Sequence, residues 1–194
     1  MKTILVFIAA ATLAACNNSS NDAVQKADSA NRAKRDSNAV TDGKAPITAD
    51  KATSDFLVDA TDGGIMEVDL GNIAKVKAQN SRVKSFGEMM IKDHTDANSK
   101  IKELAAARTV TLPTRVSDDK AGMIGKINGK DLKDFDKAYI DMMVDDHKKD
   151  IKEFEDAGNK ITDPEIQQFI NNTLPVLRKH LDSCSLIQDA LKRK

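Results

Sequence analysis

The stretch VKSFGEMMIKDHTDANSKIKEL, residues 83–104, decides the fold. Val83, Phe86, Met90, His94, Ala97, Ile101 and Leu104 recur at steps of three and four, as residues on one buried helix face do. The same period, followed outward, predicts this helix over about 81–108 and a preceding one over about 50–80. The earlier helix carries the stripe Phe56, Ala60, Gly64, Glu67, Gly71, Ala74 and Ala78. Gly63-Gly64 either breaks it or lets a neighbouring helix approach closely. Downstream, Pro113 falls in a connector with room for a short helix opened by Ser117. A third long helix is predicted over about 131–157, with Ile140, Met143, His147, Ile151 and Phe154 inward. Asp163-Pro164, an N-cap followed by proline at the first helical position, opens the fourth. Its stripe is Ile166, Phe169, Thr173, Leu177, His180, Cys184, Ile187 and Leu191. Pro175 lies inside this helix, where its ring meets the carbonyl of Asn171 and should kink the axis. Four amphipathic helices without strand signals make an all-α four-helix bundle, and the 109–130 connector suits a crossover between helices two and three.

Lysine plus arginine equals aspartate plus glutamate at 30 each, so no net field draws the chain to nucleic acid or acidic lipid. Aromatic residues make up 4%, too few for a base-stacking platform. Neither a glycine-rich phosphate loop nor a GxSxG nucleophile elbow occurs. Nucleic acid is therefore excluded as a partner, and no patch identifies a protein partner.

At the N-terminus, Met1-Lys2 precedes the apolar run Ile4 to Leu13, the charged start and short greasy core of an export signal. The run has about half of the ~20 apolar residues that a membrane-spanning helix needs. It ends in Leu13-Ala14-Ala15-Cys16, which resembles the bacterial lipobox. Residues 1–15 are then the removed signal peptide and Cys16 the lipidated residue; the other reading is an ordinary secretory signal with a chance cysteine. One acyl chain binds a membrane only reversibly, whereas the two or three of a lipoprotein anchor it firmly. The expected address is the cell envelope, lipid-anchored at the outer membrane and facing the periplasm. From Asn17 to about Pro46 large apolar residues are almost absent, so little surface is available to offset the entropy of ordering. Residues 16–47 read as lipidated cysteine and flexible tether, with room for short helical turns around Asp22 to Lys34, and 48–194 as the bundle domain. With Cys16 lipidated, Cys184 is the remaining thiol and no internal disulfide forms. Its place on a stripe with Leu177 and Leu181 assigns it to packing ahead of redox chemistry.

The chain has three histidines, His94, His147 and His180, each on the inward stripe of a different helix. The remaining helix carries Glu67 inward among Gly64, Gly71 and Ala74, where a carboxylate is costly unless paired. The four helices thus offer one candidate metal ligand each. Glu67 and His94 lie about equally far from a turn near Asn80, which puts them at one level. His147 and His180, measured from a turn near Lys160, differ in height by ~7 to 10 Å. An internal echo links Phe86-Gly87-Glu88-Met89-Met90-Ile91-Lys92-Asp93-His94 with Tyr139-Ile140-Asp141-Met142-Met143-Val144-Asp145-Asp146-His147. Met90 and Met143 sit one turn before a histidine; thioether sulfur favours Cu(I), although methionine at helical spacing is more commonly core filler. Asp93 and Asp146 are candidates to orient imidazoles, but adjacent helix positions point about 100° apart, which favours a solvated face for both.

Phe56 to Gly71, Val83 to Asn98, Phe135 to His147 and Leu174 to Leu181 resemble the bacterial domain-of-unknown-function family 4142 over about residues 50–192. That resemblance implies a ferritin-like exported four-helix bundle, often a lipoprotein, with no settled activity. Glu67, the Asp93-His94 pair, His147 and His180 fall on its recurrent polar positions. Di-iron carboxylate bundles place a glutamate three residues before each of two histidines. Here those positions are Ile91, Val144 and Leu177, which argues against a carboxylate-bridged di-iron centre. A His-rich mononuclear site suits copper, zinc or iron. The competing reading is a structural or interaction lipoprotein whose buried His/Glu network only fixes packing. Catalysis is the least favoured class, and no catalytic residue is assigned.

Overall fold

The computed structural model describes residues 22–37 and 49–193. The expected signal peptide, Cys16, residues 17–21 and 38–47 of the expected tether, and residue 48 lie outside the described residues. The described chain forms α1 (Ala23–Ser37), α2 (Lys51–Lys77), α3 (Ser81–Ala107), α4 (Asp118–Asn128), α5 (Leu132–Lys160) and α6 (Pro164–Lys192). No strand occurs among the described residues, and no helix there is long and apolar enough to cross a membrane.

Helices α2, α3, α5 and α6 make the bundle; α2 packs chiefly on α3, and α5 on α6. The start of α2, the end of α3, the end of α5 and the start of α6 line one cavity, so all four lie at the same end. The order is therefore up, down, down, up, and residues 108–131 must run the length of the bundle between α3 and α5. This is the single long crossover of ferritin-like topology. The crossover contains α4, whose N-cap Ser117 is tied to α2: Asp62 accepts its backbone N–H at 2.6 Å and its hydroxyl at 2.8 Å. At the other end Asp136 of α5 accepts from the N–H groups of Gln79 and Asn80, at 3.0 and 2.7 Å, closing the α2–α3 turn.

Arg108, just past α3, is 5% exposed and locks that end onto α6. Its Nε and Nη2 donate to the two oxygens of Asp163 at 2.8 and 2.6 Å, Nη2 also reaches Glu165 at 2.8 Å, and Nη1 donates to Leu104 O at 3.1 Å. Asp163 in turn caps α6, accepting from the N–H groups of Glu165 and Ile166.

Gly63-Gly64 does not interrupt α2. The closest backbone approach is at Gly71, where a Cβ would lie 2.7 Å from Gly87 O and 2.9 Å from Ile91 Cγ1. Gly71→Ala should therefore push α2 and α3 apart and cost about 1–3 kcal/mol despite the better helix former. Gly122→Ala in α4 meets no atom within 4 Å and should stabilise by about 0.5–1 kcal/mol. Urea midpoints of the two variants read the opposite signs.

The tether reading needs correction at α1. Ala23, Ala27 and Asn31, spaced by four, are buried, so small residues and one amide replace the large apolar side chains that the sequence lacks. Asn31 donates to Thr111 O at 2.9 Å and accepts from Thr111 N at 2.6 Å, while Lys34 reaches Thr109 O at 2.8 Å. This docking segment is presented by a Schellman turn at the end of α3, with Thr109 left-handed at φ 56° and Val110 N–H bonded to Ala105 O. Pro175 does not end α6, which runs through it to Lys192.

The core divides along the bundle axis. One apolar cluster holds Met66, Leu70, Phe86, Met90, Phe135, Tyr139, Met143 and Cys184; the other holds Phe56, Ile101, Phe154, Phe169 and Leu177. Cys184 is buried, and burial pushes its thiol up to about 11, in keeping with a packing role. Between the two clusters lies a polar layer.

Candidate metal centre

α2 supplies Glu67 to that layer, α3 His94, α5 His147 and α6 His180. Their exposures are 1%, 7%, 0% and 1%, so each polar atom needs a partner inside the protein. Glu67 Oε2 lies 2.7 Å from His94 Nδ1, and its Oε1 lies 3.5 Å from His147 Nε2. His147 Nδ1 is 3.0 Å from Met143 O, His147 Nε2 is 3.2 Å from His180 Nδ1, and His180 Nε2 is 3.0 Å from Asp93 Oδ2. One nitrogen from each histidine falls within 4.8 Å of the other two, and a second, separate group of one carboxylate oxygen each from Glu67, Asp146 and Asp150 is equally close together.

Counting protons exposes a deficit. The series Met143–His147–His180–Asp93 ends in an acceptor on both sides. The Met143 end is a carbonyl. Partial burial works against ionisation of Asp93, but the hydrogen bond from His180 and the nearby Lys92 hold its carboxyl below the ordinary value. His147 Nδ1 and His180 Nε2 must therefore be the donors, and a neutral imidazole has one N–H. That leaves lone pairs on His147 Nε2 and His180 Nδ1 facing each other across 3.2 Å. Burial pushes His94, His147 and His180 down to about 4, so an imidazolium is a poor remedy. A metal ion would supply the missing positive charge without a proton, and two nitrogens on one tetrahedral ion at ~2.0 Å stand ~3.3 Å apart. Outer nitrogens tied to a carbonyl and a carboxylate are the usual means of aiming imidazoles at a metal.

Two expectations about placement need correction. His147 and His180 are in contact rather than ~7 to 10 Å apart in height. Residues 161–163 form the turn and add no helical rise, so the counts are thirteen residues in α5 and sixteen in α6, a difference of only ~4.5 Å. Asp93 and Asp146 are not on a solvated face: Asp93 accepts from His180, and Asp146 turns an unpartnered, buried Oδ2 toward the interior. Met90 and Met143 are fully buried in the apolar cluster.

Asp150 and Asn98 were not among the predicted residues. Asp150 lies three residues after His147 and four before Phe154, a phase shared with the inward stripe, and Asn98 lies four after His94. That spacing was the available signal. Burial pushes Asp150 well above the carboxylate range, with Glu67 and Asp146 adding repulsion. Beside this layer a cavity of about 550 Å³ opens toward the bundle end. Glu67, His94, Asn98 and Asp150 stand at its inner end, where Glu67 Oε1, His94 Nε2 and Asn98 Oδ1 are buried without a hydrogen-bond partner.

Burial also pushes Glu67 up to about 8, opposed by His147. Above about pH 7.5 the imidazoles are mostly neutral both folded and unfolded, whereas the folded chain still holds part of a Glu67 proton that the unfolded chain has released. The unfolded state then binds fewer protons, so metal-free stability should fall by about 0.5–1 kcal/mol between about pH 7.5 and 9; below that window the three depressed imidazoles act in the opposite direction. Melting in chelator should show that slope in the wild type and a flatter one in Glu67→Gln.

A family model described as "Domain of unknown function (DUF4142)" matches residues 38–186. A comparison with curated proteins finds no match. Among solved structures, the chain is similar in fold to a DUF305 fragment from Deinococcus radiodurans, with a TM-score of 0.65 at 10% identity, covering 74% of this chain and 99% of that one. With nearly the whole bundle and all four polar-layer residues inside the matched span, the chain belongs to the DUF4142 family of helical-bundle domains of unknown function.

Proposed function

We propose that this protein is a cell-envelope lipoprotein, anchored through Cys16, whose bundle binds one transition-metal ion through His94, His147, His180 and Glu67. The observation that carries the metal reading is the 3.2 Å contact between two imidazole nitrogens whose outer partners leave no proton for it. Imidazole nitrogens with one carboxylate suit zinc, copper and iron. The alternative, a polar layer that only fixes helix packing, draws support from the hydrogen bonds that already satisfy the outer nitrogens.

Full-length protein stripped with chelator and titrated with Zn, Cu or Fe separates the two. About one ion per chain and a raised melting temperature are expected for at least one metal. No binding, or unchanged binding in a His147→Gln, His180→Gln variant, overturns the metal reading. The anchor is tested separately: labelled palmitate should enter the wild type and not Cys16→Ala, and label in neither removes the lipoprotein reading.

A further inference from the structure

We propose that the cavity at the α2-start end of the bundle binds a small organic cation, an amine with an apolar body. Its volume of about 550 Å³ lies inside the range of small-molecule pockets, ~300–1,000 Å³, and far exceeds what an ion requires. The walls are Phe56, Ile101, Phe154, Phe169 and Leu177, which give an apolar body a dry surface.

The inner end fixes the chemistry of the head group. Asn98 Oδ1 and Glu67 Oε1 are buried acceptors without donors. His94 Nε2, also unpartnered, borders the same end. Asp150 adds a carboxyl to the same end. Unpaired buried acceptors call for a ligand rich in N–H donors, and an ammonium supplies three. Gly64 makes this arrangement possible: a Cβ there would lie 2.2 Å from Asn98 Oδ1, so any side chain would expel the amide from its place. The outer lining has the same sign preference, with Asp55, Asp59, Glu153 and Asp156 against Lys51 and Lys160. A carboxylate ligand would meet unpaired acceptors at the inner end and a net acidic outer lining.

The proposal goes beyond the metal reading and needs no ion behind His94. It is therefore tested on the full chain in chelator, with 2-phenylethylammonium, 2-phenylethanol and 3-phenylpropionate as calorimetric and thermal-shift probes. The ammonium should bind at least ~10-fold more tightly than the alcohol, the difference that one or more charge-assisted hydrogen bonds make, and the carboxylate least. Ala60→Phe, which fills the cavity from α2, should abolish ammonium binding. Asn98→Leu keeps the apolar volume and should weaken the ammonium ~10-fold while leaving the alcohol nearly unchanged. Equal binding of all three probes, no binding of the ammonium, or ammonium binding indifferent to both variants would overturn it. Failure here with metal binding intact leaves the metal reading standing, and the reverse holds too.

Discussion

His147→Ala is expected to weaken metal binding more than ~100-fold, because loss of an outer hydrogen-bond partner alone typically costs ~10–100-fold and here a ligand itself is removed. His147 occupies the middle of the layer, touching Glu67 on one side and His180 on the other. Its ring is fully buried, so the alanine variant also leaves a hole and should lose about 2–4 kcal/mol of metal-free stability. His147→Gln keeps most of the volume and separates the two effects. Calorimetric titration reads the affinity, and urea unfolding in chelator reads the stability. Metal binding within ~3-fold of wild type in both variants would remove His147 from the site.

Arg108→Met is expected to cost about 3 kcal/mol, the largest single loss predicted outside the polar layer. The guanidinium is almost wholly buried and donates to both oxygens of Asp163, which itself caps α6. Removing it frees the Leu104 carbonyl and leaves an N-cap carboxylate without its strongest partner. The contact to Glu165 adds little, since that side chain is 68% exposed. Stability of Arg108→Met and of the Arg108→Met, Asp163→Asn double variant, measured by urea unfolding, should not add. If the single change costs under about 1 kcal/mol, the clamp is not holding α3 to α6.

Helical phase made most of the fold legible. The stripes led by Phe86, Ile140 and Ile166 set which faces turn inward, and Asp163-Pro164 marked the start of α6 to the residue. The same phase brought Glu67, His94, His147 and His180 together. What it concealed has physical causes. Asp150 and Asn98 go unassigned in the sequence because a polar residue beside an apolar one on a helix yields the inward position to it in any hydrophobicity argument. The structure shows both positions sharing the interior. The docking of α1, where the sequence leaves room only for short helical turns, was hidden for the opposite reason, since it depends on hydrogen bonds from Asn31 and Lys34 to residues 109–111 rather than on apolar area. The level of His147 with His180 depended on how many residues the turn consumes, which periodicity does not report.

Glu67 and His94 belong to the α2–α3 hairpin, His147 and His180 to the α5–α6 hairpin, and each hairpin is local along the chain. The layer thus exists only where the two hairpins close on each other. An ion held across that seam would act as a late clasp: it would leave the speed of refolding nearly unchanged and retard unfolding, so that metal would lengthen the lifetime of the native chain far more than it hastened its formation.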